Sequence, residues 1–231
     1  MSLSPLLIRQ FDLFKPLDDD TLQALANAAS LVEVAKRQVV MEKNQHAHSL
    51  GLLLDGRLQG IDITLDGREA GLYFVEPYDF FGELAVVDKN PASEFVIALT
   101  PSKFVMIPAD IARKLITQSA EVANSINQRL AQRLREAMSQ RTLLTLPTPI
   151  QRVCAQLIQL TPKSAGAAPN IAFAPTHQDI AIMINTTRET VTRVFQKLQA
   201  DGVIARNGQN ILILNLEYLQ KVATGEIEVK K

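Results

Sequence analysis

The chain has 231 residues, room for two modest domains with cores of their own, and its 24 Lys+Arg balance 24 Asp+Glu. That balance excludes attraction to a polyanion through bulk charge, so any such contact needs a local patch. A single cysteine, Cys154, excludes an internal disulfide and suits a reducing compartment. No signal peptide, lipidation motif or bilayer-length apolar run is read, so a cytoplasmic protein with no membrane partner is expected.

In chain order, residues 5–35 read as helical. Phe11, Leu13, Phe14, Leu22, Leu25 and Ala26 supply apolar positions, and Asp18 to Asp20 supply a cap. From Val39 to about Ile107 the pattern changes to short strands and turns. Ile61, Ile63 and Leu65 alternate, Asp66-Gly67 turns, and Leu72 and Phe74 alternate again; Gly56 and Pro77-Tyr78-Asp79 mark further turns. Strands at this spacing predict a compact antiparallel β domain, a sandwich or roll.

Residues 109–146 read as one long helix, with no proline between Pro108 and Pro147. Ala123, Ile126, Leu130, Leu134, Ala137 and Leu144 recur near heptad spacing, and a second copy of the helix is the economical partner for that seam. Thr148-Pro149-Ile150-Gln151 opens another helix with a capping box, and Ile150, Val153, Cys154 and Leu157 line its inner face. Cys154 reads there as a small buried hydrophobe. Residues 163–169 read as a loop. Splitting the chain after Leu146 leaves 9 basic and 6 acidic residues on the C-terminal side, net +3, and 15 and 18 before it, net −3.

Residues 176–204, THQDIAIMINTTRETVTRVFQKLQADGVI, predict two short helices around a tight turn. The first starts at Thr176 and buries Ile180, Ala181 and Ile184. Asn185 tolerates the left-handed angles a turn needs. In the second, Val191, Val194, Phe195 and Leu198 share one side. Glu189, Arg193 and Gln196 centre the other, with Arg188, Thr192 and Lys197 at its margins. Thr186 or Thr187 caps the start; Thr186 with Glu189 is a capping box, so Glu189 reads as a cap, a base contact or both. Gly202 ends the helix. Asn207-Gly208 between β-prone runs then predicts a two-stranded wing. Packed on one side and studded with Arg, Glu and Arg on the other, the second helix has the construction of a DNA reader. Arg188 and Arg193 suit guanine, and Glu189 suits a cytosine amine. Thr176, Gln178 and Thr187 at helix starts suit phosphates, as does His177.

TRETVTR followed by L-x-x-x-G-V-I resembles the recognition helix of the bacterial CRP/FNR transcription regulators, and the likeness extends over nearly the whole chain. It implies an α+β protein: an effector-sensing β-roll of the cyclic-nucleotide-binding type with a dimerisation helix at about residues 109–146, together residues 1–147, then a winged helix-turn-helix domain at 148–231. It also implies a homodimer on a palindromic, TGTGA-like site, with RNA polymerase as a further partner. The lone cysteine cannot supply the four-cysteine iron–sulfur cluster of the oxygen-sensing branch.

The stretch SLGLLLDGRLQGIDITLDGREAGLYFVEPYDFFGELAVVD follows the family's effector domain. Gly82, Glu83 and Leu84 match its phosphate-binding cassette, whose Glu accepts a ribose hydroxyl. The cassette's Arg-Ser/Thr pair falls on Ala92-Ser93, so the phosphate arginine is missing and Glu94 stands close by. The adenine-binding Thr-Ser pair of the long helix falls on Ala137-Met138. Cyclic AMP binding in the usual mode is therefore not expected, and Glu83 is expected to pair with Arg133. The pocket takes a different effector, stands empty as an inherited scaffold, or holds a nucleotide differently. His46 and His48 in NQHAH read as a polar surface loop in preference to a metal or haem site, and no metal site is expected. A cyclic-nucleotide-binding subunit of an enzyme is a weaker reading, since such modules carry no DNA-reading helix. Catalysis has no support: there is no Gly-rich phosphate loop, no Cys/His constellation and no nucleophile–base pair.

Overall fold

The computed structural model describes residues 3–46, 48–65, 67–161 and 169–227. Asp66 of the expected turn and residues 163–168 of the expected loop lie outside them. The chain divides into two compact units, residues 1–137 and 138–231.

The first unit opens with α1 (Pro5–Ile8), a 3-10 turn (Asp12–Phe14) and α2 (Asp19–Ala28). Asp18 caps α2, its Oδ1 accepting from the Thr21 amide at 2.7 Å. The expected helix over 5–35 does not reach its end: residues 30–34 form a strand, β1 (Ser30–Val34). Ala29 is already extended (φ −82°, ψ 154°), and alternating Val32 and Val34 suit a pleated surface better than a helix.

Seven more strands follow: β2 (Val39–Met41), β3 (Ser49–Asp55), β4 (Leu58–Ile63), β5 (Glu69–Val75), β6 (Phe80–Phe81), β7 (Phe95–Ala98) and β8 (Ser102–Pro108). A short helix, α3 (Glu83–Asp88), sits between β6 and β7. The strands form two antiparallel sheets, ordered β1-β8-β3-β6 and β2-β7-β4-β5. Their facing sides make the interior of the roll, with Val34, Leu53, Phe81 and Phe104 from one sheet against Leu58, Val75, Val96 and Ala98 from the other. Gly51 on β3 leaves room for the Phe81 ring, since a Cβ there would fall 2.1 Å from Phe81 Cζ. The other face of the first sheet turns Leu50, Leu52, Val105 and Ile107 toward the helices. Of the expected alternating residues, Ile61 is buried, whereas Ile63 and Leu65 are exposed. Leu65 lies beyond the end of β4, so it has no sheet face to cover.

The expected single helix over 109–146 is two, α4 (Ala109–Gln118) and α5 (Ala120–Leu144). Ser119 breaks it in an extended conformation (φ −115°, ψ 115°), and its Oγ accepts from the Val122 amide at 3.3 Å, capping α5. The seam also divides. Val122 and Ile126 are buried in the unit's own core and Leu130 packs against it, but Leu134 and Met138 are 63% and 62% exposed.

The second unit holds the last turns of α5, then α6 (Pro149–Leu160), β9 (Asn170–Ile171), α7 (His177–Met183), α8 (Arg188–Ala200), β10 (Ile204–Asn207), β11 (Asn210–Ile213) and α9 (Leu216–Thr224). Thr148 and Gln151 form the expected capping box on α6. Val153, Cys154 and Leu157 are fully buried on that helix, and burial pushes the Cys154 thiol up to about 12. Gln140 Nε2 donates to the Met183 carbonyl at 2.6 Å, which ties the end of α5 to α7. The wing has three strands, ordered β10-β11-β9, where two were expected. The added strand is two residues long, too short to show an alternating pattern in the sequence.

Candidate nucleic-acid interface and effector pocket

Two caps and one turn set the position of α8. Thr176 caps α7 in a closed capping box: its Oγ1 accepts from the Asp179 amide, and Asp179 Oδ2 accepts from the Thr176 amide at 2.9 Å. Asn185 takes the expected left-handed conformation, φ 49°. The cap of α8 is Thr187, whose Oγ1 accepts from the Thr190 amide at 3.3 Å. The expected Thr186–Glu189 capping box does not form. With the cap one residue later, the third helical position is Thr190, and Glu189 is left exposed without a polar partner among the described residues. At the far end Gly202 (φ 67°) closes the helix, with the Val203 amide donating to the Leu198 carbonyl at 2.8 Å.

Val191, Val194, Phe195 and Leu198 are buried, while Arg188, Glu189, Arg193 and Gln196 are exposed on the opposite side. Thr176, Gln178 and Thr187 are exposed at the helix starts. Arg193 makes one long hydrogen bond, from its Nη2 to Thr190 Oγ1 at 3.4 Å, so its fork is held loosely.

His177 does not face outward as expected. Its ring packs on Phe195 with centroids 4.5 Å apart, its Nδ1 lies 2.9 Å from Thr192 Oγ1, and its Nε2 is buried. Thr192 in turn donates to the Arg188 carbonyl at 2.9 Å. Both side chains thus brace α7 against α8. Burial lowers the His177 pKa, and the nearby Arg206 and Arg188 lower it further. Arg206 on the wing is a cation the sequence reading passed over. It sits beside the turn that Gly208 makes at φ 60°, donating from Nε to the Gly208 carbonyl at 3.3 Å.

The pocket residues behave differently. Gly82 starts α3 in a left-handed conformation (φ 80°), and Glu83 behind it is 1% exposed. The expected pairing is present: Arg133 Nη1 lies 2.7 Å from Glu83 Oε1. Arg133 Nη2 also donates to the Phe80 carbonyl at 2.7 Å, and Arg129 clasps Asp79 one turn earlier on α5. Burial pushes the Glu83 carboxyl up while Arg133 pulls it down. Burial is the largest influence on the Arg133 guanidinium and works against the cation, but Glu83, Tyr73 and Asp79 together outweigh it and its pKa rises. The pair is ionic.

The Arg133 guanidinium lies over the Tyr73 ring, 4.2 Å from its centroid. Tyr73 in turn donates from its hydroxyl to Glu94 Oε1 at 2.8 Å, and Ser93 donates to Glu94 Oε2. Burial raises the Tyr73 pKa well above its ordinary value, so the phenol stays a donor. Gly60 makes the space for that ring, because a Cβ there would fall 2.6 Å from Tyr73 Cε1. Glu94 is 4% exposed and Ala92 3%. Glu83, Ser93 and Arg133 are therefore gathered around Tyr73 and Glu94, and Gly82 heads the helix that carries Glu83. Leu84 is 43% exposed, and Ala137 and Met138 are exposed on α5, outside this network. Tyr73 and Gly60 were missed; a Tyr two residues before Val75 on a strand carries no signal until its cross-strand partner proves to be Gly60.

Residues 151–222 match the Crp-like helix-turn-helix domain, and residues 31–119 match the cyclic nucleotide-binding domain. The chain belongs to the CRP/FNR family of transcription regulators. Over 220 residues it is 25% identical to the CRP-like cAMP-activated global transcriptional regulator of Mycobacterium tuberculosis, covering 94% of this chain and 98% of that one. It is 27% identical over 177 residues to the cyclic AMP receptor protein of Thermus thermophilus, covering 77% and 80%. The solved structure of FixK2 from Bradyrhizobium japonicum shares the fold, with a TM-score of 0.73 at 22% identity over 84% of this chain and 96% of that one.

As a CRP/FNR regulator, the chain carries the family's β-sheet domain, long helix and DNA-binding helix-turn-helix in that order. No helix is long and apolar enough to cross a membrane, and no three His, Cys, Asp or Glu side chains converge on a metal site among the described residues.

Proposed function

We propose that this CRP/FNR regulator is a cytoplasmic homodimer that reads a palindromic, TGTGA-like DNA site and does not use cyclic AMP in the usual mode. Residues 1–147 form the sensing and dimerising part, residues 148–231 the DNA-reading part, and RNA polymerase is a further partner by family resemblance. The observation that carries the reading is α8: capped by Thr187, buried along Val191, Val194, Phe195 and Leu198, and open along Arg188, Glu189 and Arg193. Each arginine can bond two guanine acceptors, and the uncapped Glu189 can accept from a cytosine amine. Thr176, Gln178 and Thr187 contact phosphates and set the register, while His177 and Thr192 hold the reading helix in place.

Dimerisation is supported by the exposed Leu134, Met138 and Leu144 on α5. A helix that leaves large apolar side chains in water gains by covering them with its own copy. Two reading helices then enter successive major grooves, which puts half-site centres about one helical turn apart.

Against cyclic AMP stands the state of the pocket. Ala92 offers a phosphate no cation, and the Ser93 hydroxyl is already spent on Glu94. A phosphate placed there would meet a buried carboxylate, a repulsion that grows as the surroundings lose water. The scaffold is thus closed by its own side chains, which favours either constitutive DNA binding or an effector held elsewhere.

Selection from a pool of random duplexes tests the reading. A dyad-symmetric consensus with G, C and G steps in each half is expected. A consensus without symmetry, or one unchanged by Arg188→Ala and Arg193→Ala together, would remove α8 from its role.

A further inference from the structure

The roll has a second concavity that the nucleotide cassette does not use. It holds about 300 Å³, at the lower end of the range for small-molecule sites. Its inner wall is Met41, Phe81 and Met106, and its rim carries Glu42, His46 and His48. Both histidines that the sequence left as a plain surface loop border it. Among the described residues the rim and wall include no Lys or Arg, so a phosphate or carboxylate would find no permanent countercharge, only the two rim imidazoles. Glu42 supplies one negative charge; its Oε2 accepts from Gln45 Nε2 at 2.6 Å, which holds the side chain in place. A bare metal ion is disfavoured on size and because no three His, Cys, Asp or Glu side chains converge among the described residues.

The cavity also has a mechanical route to α5. Phe81 forms part of its wall and stacks edge-on against Phe104, with centroids 5.5 Å apart. The next two residues are Gly82 and Glu83, and a Cβ on Gly82 would fall 3.6 Å from the Met41 sulfur. Glu83 and the Phe80 carbonyl both hold Arg133 of α5. Anything wedged against Met41 and Phe81 therefore bears on the segment that grips the long helix.

We propose that this cavity is the effector site of the chain and that it takes a compact aromatic amine: a flat ring against the two thioethers and Phe81, and an ammonium at Glu42. The proposal rests on the reading of the chain as a regulator whose nucleotide pocket is closed, but its test needs no DNA.

Three molecules of one shape and different charge serve as ligands for the full chain: tyramine, para-ethylphenol and para-hydroxyphenylacetate. The 5 methionine methyls report the location by NMR. Tyramine is expected to shift the Met41 and Met106 methyls and leave those of Met138 and Met183 in place. It should bind about tenfold tighter than the carboxylate, the scale set by one partly exposed charge attracting one ligand and repelling the other. Glu42→Gln should bring tyramine down to the level of para-ethylphenol. Ser49→Leu, which fills the cavity from β3, should abolish binding of all three; should that variant fail to fold, Glu42→Gln on the exposed rim still decides. The proposal is overturned if no ligand moves Met41 or Met106 at millimolar concentration, if the carboxylate binds as well as the amine, or if Glu42→Gln leaves the preference unchanged.

Discussion

The recognition helix and the nucleotide cassette are built from the same kinds of side chain and finish in opposite states. On α8 the arginines and Glu189 stand in water with their bonding capacity largely unspent, while caps and an apolar face fix the backbone beneath them. In the cassette Glu83 and Arg133 form an ion pair and Tyr73 and Ser93 donate to Glu94, and both carboxylates are almost wholly buried, while the Glu83 oxygens have no hydrogen-bond partner among the described residues. A surface waiting for a polyanion keeps free donors on a rigid support. On the proposed reading, a pocket without its ligand's countercharge is occupied by its own charged groups, since a buried charge left without an opposite one is costly.

The widest separation between the two regions should come from α5. Leu134→Glu with Met138→Glu puts charge on its exposed stripe while sparing Val122, Ile126 and Leu130, which serve the unit's own core. The variant is expected to fold, to sediment as a monomer and to lose operator affinity by a factor of about 10² to 10⁴, the usual gain from joining two binding modules. A variant that stays dimeric would move the interface elsewhere.

Breaking the cassette from inside should cost stability and leave base preference intact. Arg133→Met abandons the buried Glu83 carboxylate, a change that typically costs about 3–5 kcal/mol. Chemical denaturation of the first unit measures it, and Arg133→Met with Glu83→Leu should recover most of the loss. If the single change is nearly neutral, the cassette is hydrated and open, and the contrast with α8 weakens.

Arg193→Ala makes the reverse case. It should leave stability almost unchanged, cost about 1–3 kcal/mol on the cognate site and relax preference at one base pair. Equal losses on cognate and scrambled duplexes would demote Arg193 to a phosphate contact.

The smallest effect concerns His177. Its folded pKa is lowered by burial, Arg206 and Arg188, from an unfolded value near 6.5. The neutral ring therefore stabilises the second unit fully above about pH 6.5, and the contribution fades as pH falls through the lower folded value. Thermal melts between neutral and mildly acidic pH should show the decline, and His177→Asn should flatten it. Unequal slopes of the opposite sign would mean that the ring gains rather than loses by protonation.

Legibility in the sequence followed the range of the interactions. The DNA-reading helix was readable because its caps, apolar stripe and wing turn are all local; even there, the choice between Thr186 and Thr187 as the cap depended on how the Asn185 turn closes, a one-residue matter. The Glu83–Arg133 pair was readable only through the family resemblance. Tyr73 over Gly60 and the Tyr73–Glu94 hydrogen bond join positions 13 and 21 residues apart, with no periodic signal to announce them. The break at Ser119 was missed because no proline or glycine marks it, although Ser119 with Glu121 in the first turn of α5 is a cap in retrospect.

The central claim is that one site is open to its partner and the other is closed to the ligand its fold suggests. Calorimetric titration of cyclic AMP into the full chain, followed by operator binding with and without it, tests this most directly. No micromolar binding and an unchanged operator affinity are predicted. Micromolar or tighter binding together with a raised operator affinity would contradict the account, because the nucleotide would then have displaced Glu94 and Tyr73 from the site they fill.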